Sequence, residues 1–124
     1  MATYYRRISM FDLEFYLNNH AVIEKTFESM KLCVCELQRN RSLLADNEKK
    51  LYEQRRLAYY RFEVRFDEVL RTYLTPIERK IIVDHYFKGV SYATIRAKRK
   101  YSHAEMNALI KSAKENIVDN FTQR

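Results

Sequence analysis

The stretch YFKGVSYATIRAKRKYSHAEMNALI (Tyr86–Ile110) holds the chain's single glycine, Gly89, and its densest run of positive charge. Its polar residues punctuate it into helices. Gly89 suits the left-handed residue that closes a preceding helix. Ser91 suits the N-cap of a short helix running to about Lys98. Ser102 suits the next N-cap, and Glu105, three residues on, completes the capping-box pattern. That last helix buries Met106, Leu109, Ile110, Ala113 and Ile117 at helical spacing and ends near Phe121. Between the two helices lies a tight turn, and Lys100 occupies the position where a positive φ would favour glycine.

Moving upstream, Thr75-Pro76-Ile77-Glu78 starts another helix. Thr75 caps it, Pro76 sits at the first helical position where its missing N–H is not needed, and Glu78 completes a capping box. The helix carries Ile77, Ile81, Ile82 and Tyr86 toward Gly89. A domain boundary is expected near Leu74–Thr75, giving a helical region over 1–73 and a three-helix domain over 74–124.

The N-terminal region is also helical by pattern. Residues 8–18 read as a short helix with Ser9 as N-cap, Asp12 as its partner and Asn18-Asn19 as the stop. From Ala21, the residues Ile23, Phe27, Met30, Val34 and Leu37 alternate spacings of four and three, and the seven-residue ladder extends to Leu44 and Leu51. A second stripe runs Tyr52, Tyr59, Phe62, Phe66, Val69 and Tyr73, widened by Leu57, Tyr60 and Val64. With Ala45-Asp46-Asn47 as the turn, this gives two antiparallel helices over 20–43 and 47–73. One continuous helix of about fifty residues, covered by a partner chain, is the rival reading. Tyrosines at helical spacing pack as core with hydroxyls at the rim, so this half serves packing and assembly.

Composition agrees with an all-α chain. One glycine and one proline in 124 residues leave nowhere for the turns of a multi-stranded sheet, and 47% apolar with 31% charged residues describes a globular chain. No run of about 18 apolar residues occurs, so no membrane span is expected. The start, MATYYRRISMFDLEF, has acids within its apolar stretch and does not read as a secretory signal. Cys33 and Cys35 point roughly 200° apart on a helix. They suit buried thiols in a reducing cytoplasm, and the scattered His20, His85 and His103 give no metal-ligand spacing. No cofactor and no catalytic constellation is expected: Glu63, Asp67 and Glu68 with Arg61, Arg65 and Arg71 read as a salt-linked surface. The net charge of +7 is concentrated downstream, with 13 basic and 11 acidic residues over 1–73 but 10 and 5 over 74–124. An acidic polymer is the partner that such an excess suits.

LTPIERKIIVDHYFKGVSYATIRAKRKYSHAEMNALIKSA, residues 74–113, resembles the promoter-reading region 4 of bacterial sigma-70-type factors. The shared frame is Leu-Thr-x-x-Glu-Arg, an apolar helix ending Tyr-Phe-x-Gly, then Ser-Tyr-x-x-Ile. A second Ser follows eleven residues after the first, then an apolar residue four further on, and Ala113 closes the frame. The likeness is greatest to small sigma-like regulators of Gram-positive phages, of the autolysin-regulator and late-gene-activator type. It covers about a third of the chain. It implies a helix-turn-helix domain whose helix from Ser102 enters the major groove of double-stranded DNA, with RNA polymerase as a further candidate partner.

Arg96, Arg99, Lys100 and Glu105 stand where the family usually has Ala, Leu, Gly and often Thr. Glu105 is explained by its cap. An arginine at a buried position must extend its stem to solvent, with Ala97 and Tyr101 restoring packing. Three of the four departures add positive charge, which favours a working DNA reader over a relic. The residues expected at the DNA are then His103, Ala104, Asn107, Ala108 and Lys111 along the helix. Arg96, Lys98, Arg99, Lys100 and Lys114 join Lys111 for sequence-independent affinity. A protein-interaction module that turns this motif toward RNA polymerase, a repressor or a phage packaging component is the alternative, and a homodimer through residues 20–73 fits either.

Overall fold

Ser9 opens the first helix as its chemistry requires: its hydroxyl accepts from the Asp12 N–H at 3.1 Å, and the Asp12 carboxylate accepts from the Ser9 N–H at 3.0 Å. A computed structural model describes residues 6–123. Among the described residues the regular structure is helical apart from an antiparallel pairing of two short strands, β1 (Arg6–Arg7) and β2 (Thr122–Gln123), with Arg6 opposite Gln123.

Helix α1 runs unbroken over Met10–Arg39, so the stop expected at Asn18–Asn19 does not occur. Asparagine costs a helix interior well under 1 kcal/mol. The apolar period crosses it without a phase break, from buried Leu13, Tyr16 and Leu17 to Ile23 and Phe27. The chain leaves the helix at Asn40–Leu44, not at the expected Ala45–Asn47. Arg41 takes φ 53°, its N–H bonds to the Gln38 carbonyl, and the Ser42 N–H bonds to the Leu37 carbonyl at 2.9 Å. This is a Schellman closure with arginine in the glycine position. Helix α2 then spans Ala45–Tyr73, so the one-helix reading of this region is replaced by two helices.

Two compact units emerge. One joins the residues up to Asn18 with those from Arg65 onward, and the other is Asn19–Val64. The division differs from one at Leu74–Thr75 because the ends of α1 and α2 bury Leu13, Leu17, Val69 and Leu70 completely or nearly so. Tyr16, Phe66 and Phe87 form an aromatic trio there, with ring centroids 5.0–6.3 Å apart.

In the Asn19–Val64 unit, Phe27 of α1 meets Tyr52 and Tyr59 of α2, and Arg56 lies 5.2 Å over the Phe27 ring while bonding Glu24 at 3.3 Å. The seam is real from Ile23 to Leu37 but stops there. Leu44 is 60% exposed, and Leu57, Tyr60 and Val64 face solvent rather than widening the α2 stripe. Helical period explains the second point, since positions 57, 60 and 64 lie on the side away from 52 and 59. Cys33 and Cys35 are exposed, not buried.

Downstream, α3 (Pro76–Ile82) starts at the Thr75 capping box and passes into a π-helical turn over Val83–Phe87, followed by Gly89 at φ 72°. Helix α4 (Tyr92–Arg99) is capped by Ser91, and α5 (His103–Asn120) by Ser102 with Glu105 reciprocating. Buried Ile81, Ile95 and Met106, one from each helix, form the core that joins α3, α4 and α5, with Val90, Tyr92, Tyr101 and Ile110 packed around it. Arg65 of α2 donates to the Asn120 carbonyl at 3.2 Å and closes the end of α5.

Two non-glycine residues, Arg41 and Lys100, thus hold left-handed backbone. Arg41→Gly and Lys100→Gly are each expected to raise stability by about 0.5–1 kcal/mol, because Cβ strain at positive φ exceeds the entropy that glycine adds to the unfolded chain. Urea or thermal unfolding reads the change, and a loss of stability at either position contradicts the assignment.

Candidate functional site

The turn between α4 and α5 is a second Schellman closure. Lys100 sits at φ 59°, its N–H bonds to the Ala97 carbonyl, and the Tyr101 N–H bonds to the Arg96 carbonyl at 3.1 Å. Tyr101 packs on the Ile81–Ile95–Met106 core, whereas Ala97 is exposed and restores no packing. Arg99 is also exposed and Arg96 half-buried, so neither guanidinium is trapped in the core.

Glu78 fixes how α3 meets α5. Only 4% exposed, its carboxylate accepts from the Thr75 N–H at 3.0 Å, the Ser112 hydroxyl at 2.9 Å and the Asn116 amide at 3.3 Å. Burial pushes this carboxyl up, but the bonds from Thr75, Ser112 and Asn116 prevail and hold it below the usual carboxylate range. The sequence shows Glu78 only as a cap residue. Its α5 partners, Ser112 and Asn116, lie 34 and 38 positions away, and no local pattern signals them.

The linker between α3 and α4 is fixed by His85, whose ring stacks on Tyr92 at 3.5 Å between centroids. Its Nδ1 lies 2.8 Å from the Val90 carbonyl, which can only accept, so Nδ1 carries the proton. Tyr92 donates to the Tyr86 hydroxyl at 2.9 Å, and burial, followed by that bond, pushes the Tyr92 phenol above its usual range. Lys114 completes the group, 5.4 Å over the Tyr86 ring and 2.8 Å from the Glu14 carboxylate. Burial pulls the Lys114 ammonium down, but Glu14 and Tyr86 outweigh this and raise it. Unlike the sequence expectation, Lys114 does not stand open to an external anion, because its charge is engaged by Glu14.

The other expected residues divide by side of α4. His103, Ala104, Asn107, Ala108 and Lys111 are all exposed, and their spacing makes one outward arc along the first turns of α5. Lys111 has a loose exposed pair with Glu115 at 3.9 Å. Arg96, His103 and Asn107 line a cleft of about 100 Å³ between α4 and α5, with Met106 and Ile110 as its apolar floor. Lys98 and Arg99 line a different cavity, between α4 and α3, so they do not join Arg96 at that cleft. Lys100 is exposed at the turn.

Among the described residues, no group of three or more His, Cys, Asp or Glu side chains is placed to hold a metal ion, and no helix is long and apolar enough to cross a membrane. Comparison of the chain with protein-family models, curated proteins and solved structures yields no match.

Removing the Glu78 anchor strands three donors. Glu78→Ala is expected to lower the unfolding free energy by about 2–4 kcal/mol at neutral pH. Because the folded carboxyl lies below its ordinary 4.5, its contribution is present above that pH and is lost as pH falls through the lower folded value. Urea unfolding from pH 7 to 3 should show that loss in the parent and a flatter acid limb in the variant. Equal stability of the two proteins at pH 7 would contradict the role.

Proposed function

We propose that the chain is a sequence-specific DNA-binding transcription regulator that reads duplex DNA with the outward arc of α5. One observation carries the reading: His103, Ala104, Asn107, Ala108 and Lys111 form an exposed arc at the start of a doubly capped helix, and Arg96 stands across a cleft from it. An α-helix fits the major groove, where each base pair presents its own pattern of donors and acceptors. Asn107 suits a bidentate pair with adenine. The two alanines allow close approach and contact with a thymine methyl. Arg96, Lys100 and Lys111 face phosphate or guanine, while Lys98 and Arg99 add only to the long-range field. The sigma region 4 resemblance points to the same helix in the same groove, as a helix-turn-helix behind a helical N-terminal region.

A second reading, a homodimer through residues 20–73, is favoured by a separate observation within the Asn19–Val64 unit. Val22, Leu32, Leu57 and Tyr60 are 49–70% exposed in a unit where Val34 and Ala45 are the described buried residues. It concerns how many copies act together and is compatible with DNA binding.

The test is selection of bound duplexes from a randomised pool, then fluorescence anisotropy on the enriched sequence. Affinity should fall with salt at a log–log slope of roughly −3 to −5, from a few neutralised phosphates. Asn107→Ala should cost about 1–3 kcal/mol and relax the requirement at one base pair, whereas Lys111→Ala should weaken all duplexes alike. Absence of both enrichment and a salt slope overturns the proposal.

A further inference from the structure

Lys98 and Arg99, the two cations that lie away from the α4–α5 cleft, line a half-open hollow of about 590 Å³ between α3 and α4. Lys80 stands on the opposite wall, and Val90, Ile95 and Tyr101 supply apolar surface. Asp84 is the one carboxylate among the lining residues. Lys80 at 3.3 Å and Lys88 at 3.7 Å already engage it, so it does not neutralise the far wall. Neither Lys98 nor Arg99 forms an ion pair among the described residues, and both are exposed. Thr94 adds a hydroxyl, which lies 2.8 Å from the Ser91 hydroxyl.

Volumes of roughly 300–1,000 Å³ are typical of small-molecule sites, and here five polar or charged residues and three apolar ones make the lining. A guanidinium and an ammonium on the same lining suit a phosphate or carboxylate, which the planar fork engages through two parallel bonds. Val90, Ile95 and Tyr101 would cover the rest of the ligand. We infer that the cavity between α3 and α4 binds a small molecule carrying a phosphate or carboxylate on an apolar body. This site is separate from the α5 arc, and its occupancy does not depend on duplex recognition. The motif's cationic run thus serves two ligands, Arg96 on one side of α4 and Lys98 with Arg99 on the other.

Phenyl phosphate is the probe, titrated into the full chain and followed by NMR at the Val90 and Ile95 methyls and the Tyr101 ring. The expected result is saturable shifts at these three residues, with at least tenfold weaker response to inorganic phosphate. Lys98→Gln with Arg99→Gln should reduce affinity at least tenfold, while Arg96→Gln and Lys111→Gln leave it unchanged. Shifts that stay linear in probe, an equal response to inorganic phosphate, or equal losses from Arg96→Gln and Lys111→Gln would each overturn the inference. The duplex titration stands apart from all of these outcomes, so either proposal can fail alone.

Discussion

A carboxylate removed from water costs several kcal/mol unless donors replace its hydration. Glu78 meets that condition with Thr75 on one side and with Ser112 and Asn116 on the other. The two α5 donors are four residues apart, so they share one face of that helix and fix its axial position as well as its rotation. Ile81, Ile95 and Met106 then set α4 between its neighbours. With α5 anchored at its middle, its first turns present the arc from His103 to Lys111 to solvent. A sliding or rotated α5 would scatter that arc, and Arg96 would no longer face it.

Helix starts were the most legible part of this chain. Ser9, Thr75, Ser91 and Ser102 each accept the bond their position announces, because an N-cap acts through atoms three residues away and needs no tertiary context. Helix stops were less so. Asn18-Asn19 reads as a break, yet apolar burial on both sides outweighs a weak local preference. Arg41 and Lys100 do the work of glycine at the two Schellman closures, since their hydrogen bonds offset the strain of left-handed backbone. The heptad ladder misled beyond Leu37 for a related reason: a period can continue in sequence after the helix that gives it meaning has ended.

Exposed positions were legible where they follow from helical period, as for Asn107 and Lys111. They were not where a partner is distant in sequence. Lys114 reads as another cation on a basic helix, and only the fold brings Glu14 to it across a separation of 100 residues. The run Arg96–Lys100 likewise reads as one basic cluster. A helix turns about 100° per residue, so a run of five cannot present every side chain to a single surface. The structure divides them between two sides of α4. Cationic composition therefore counts the charges, and the geometry decides which of them share a surface.

Backbone amide NMR during titration with a selected duplex reads the proposed contact residue by residue. The largest shifts should fall on Ser102–Lys111 and on Arg96, with residues 19–64 nearly silent. Shifts centred on residues 19–64, or a bound complex in which the first turns of α5 do not respond, would contradict it.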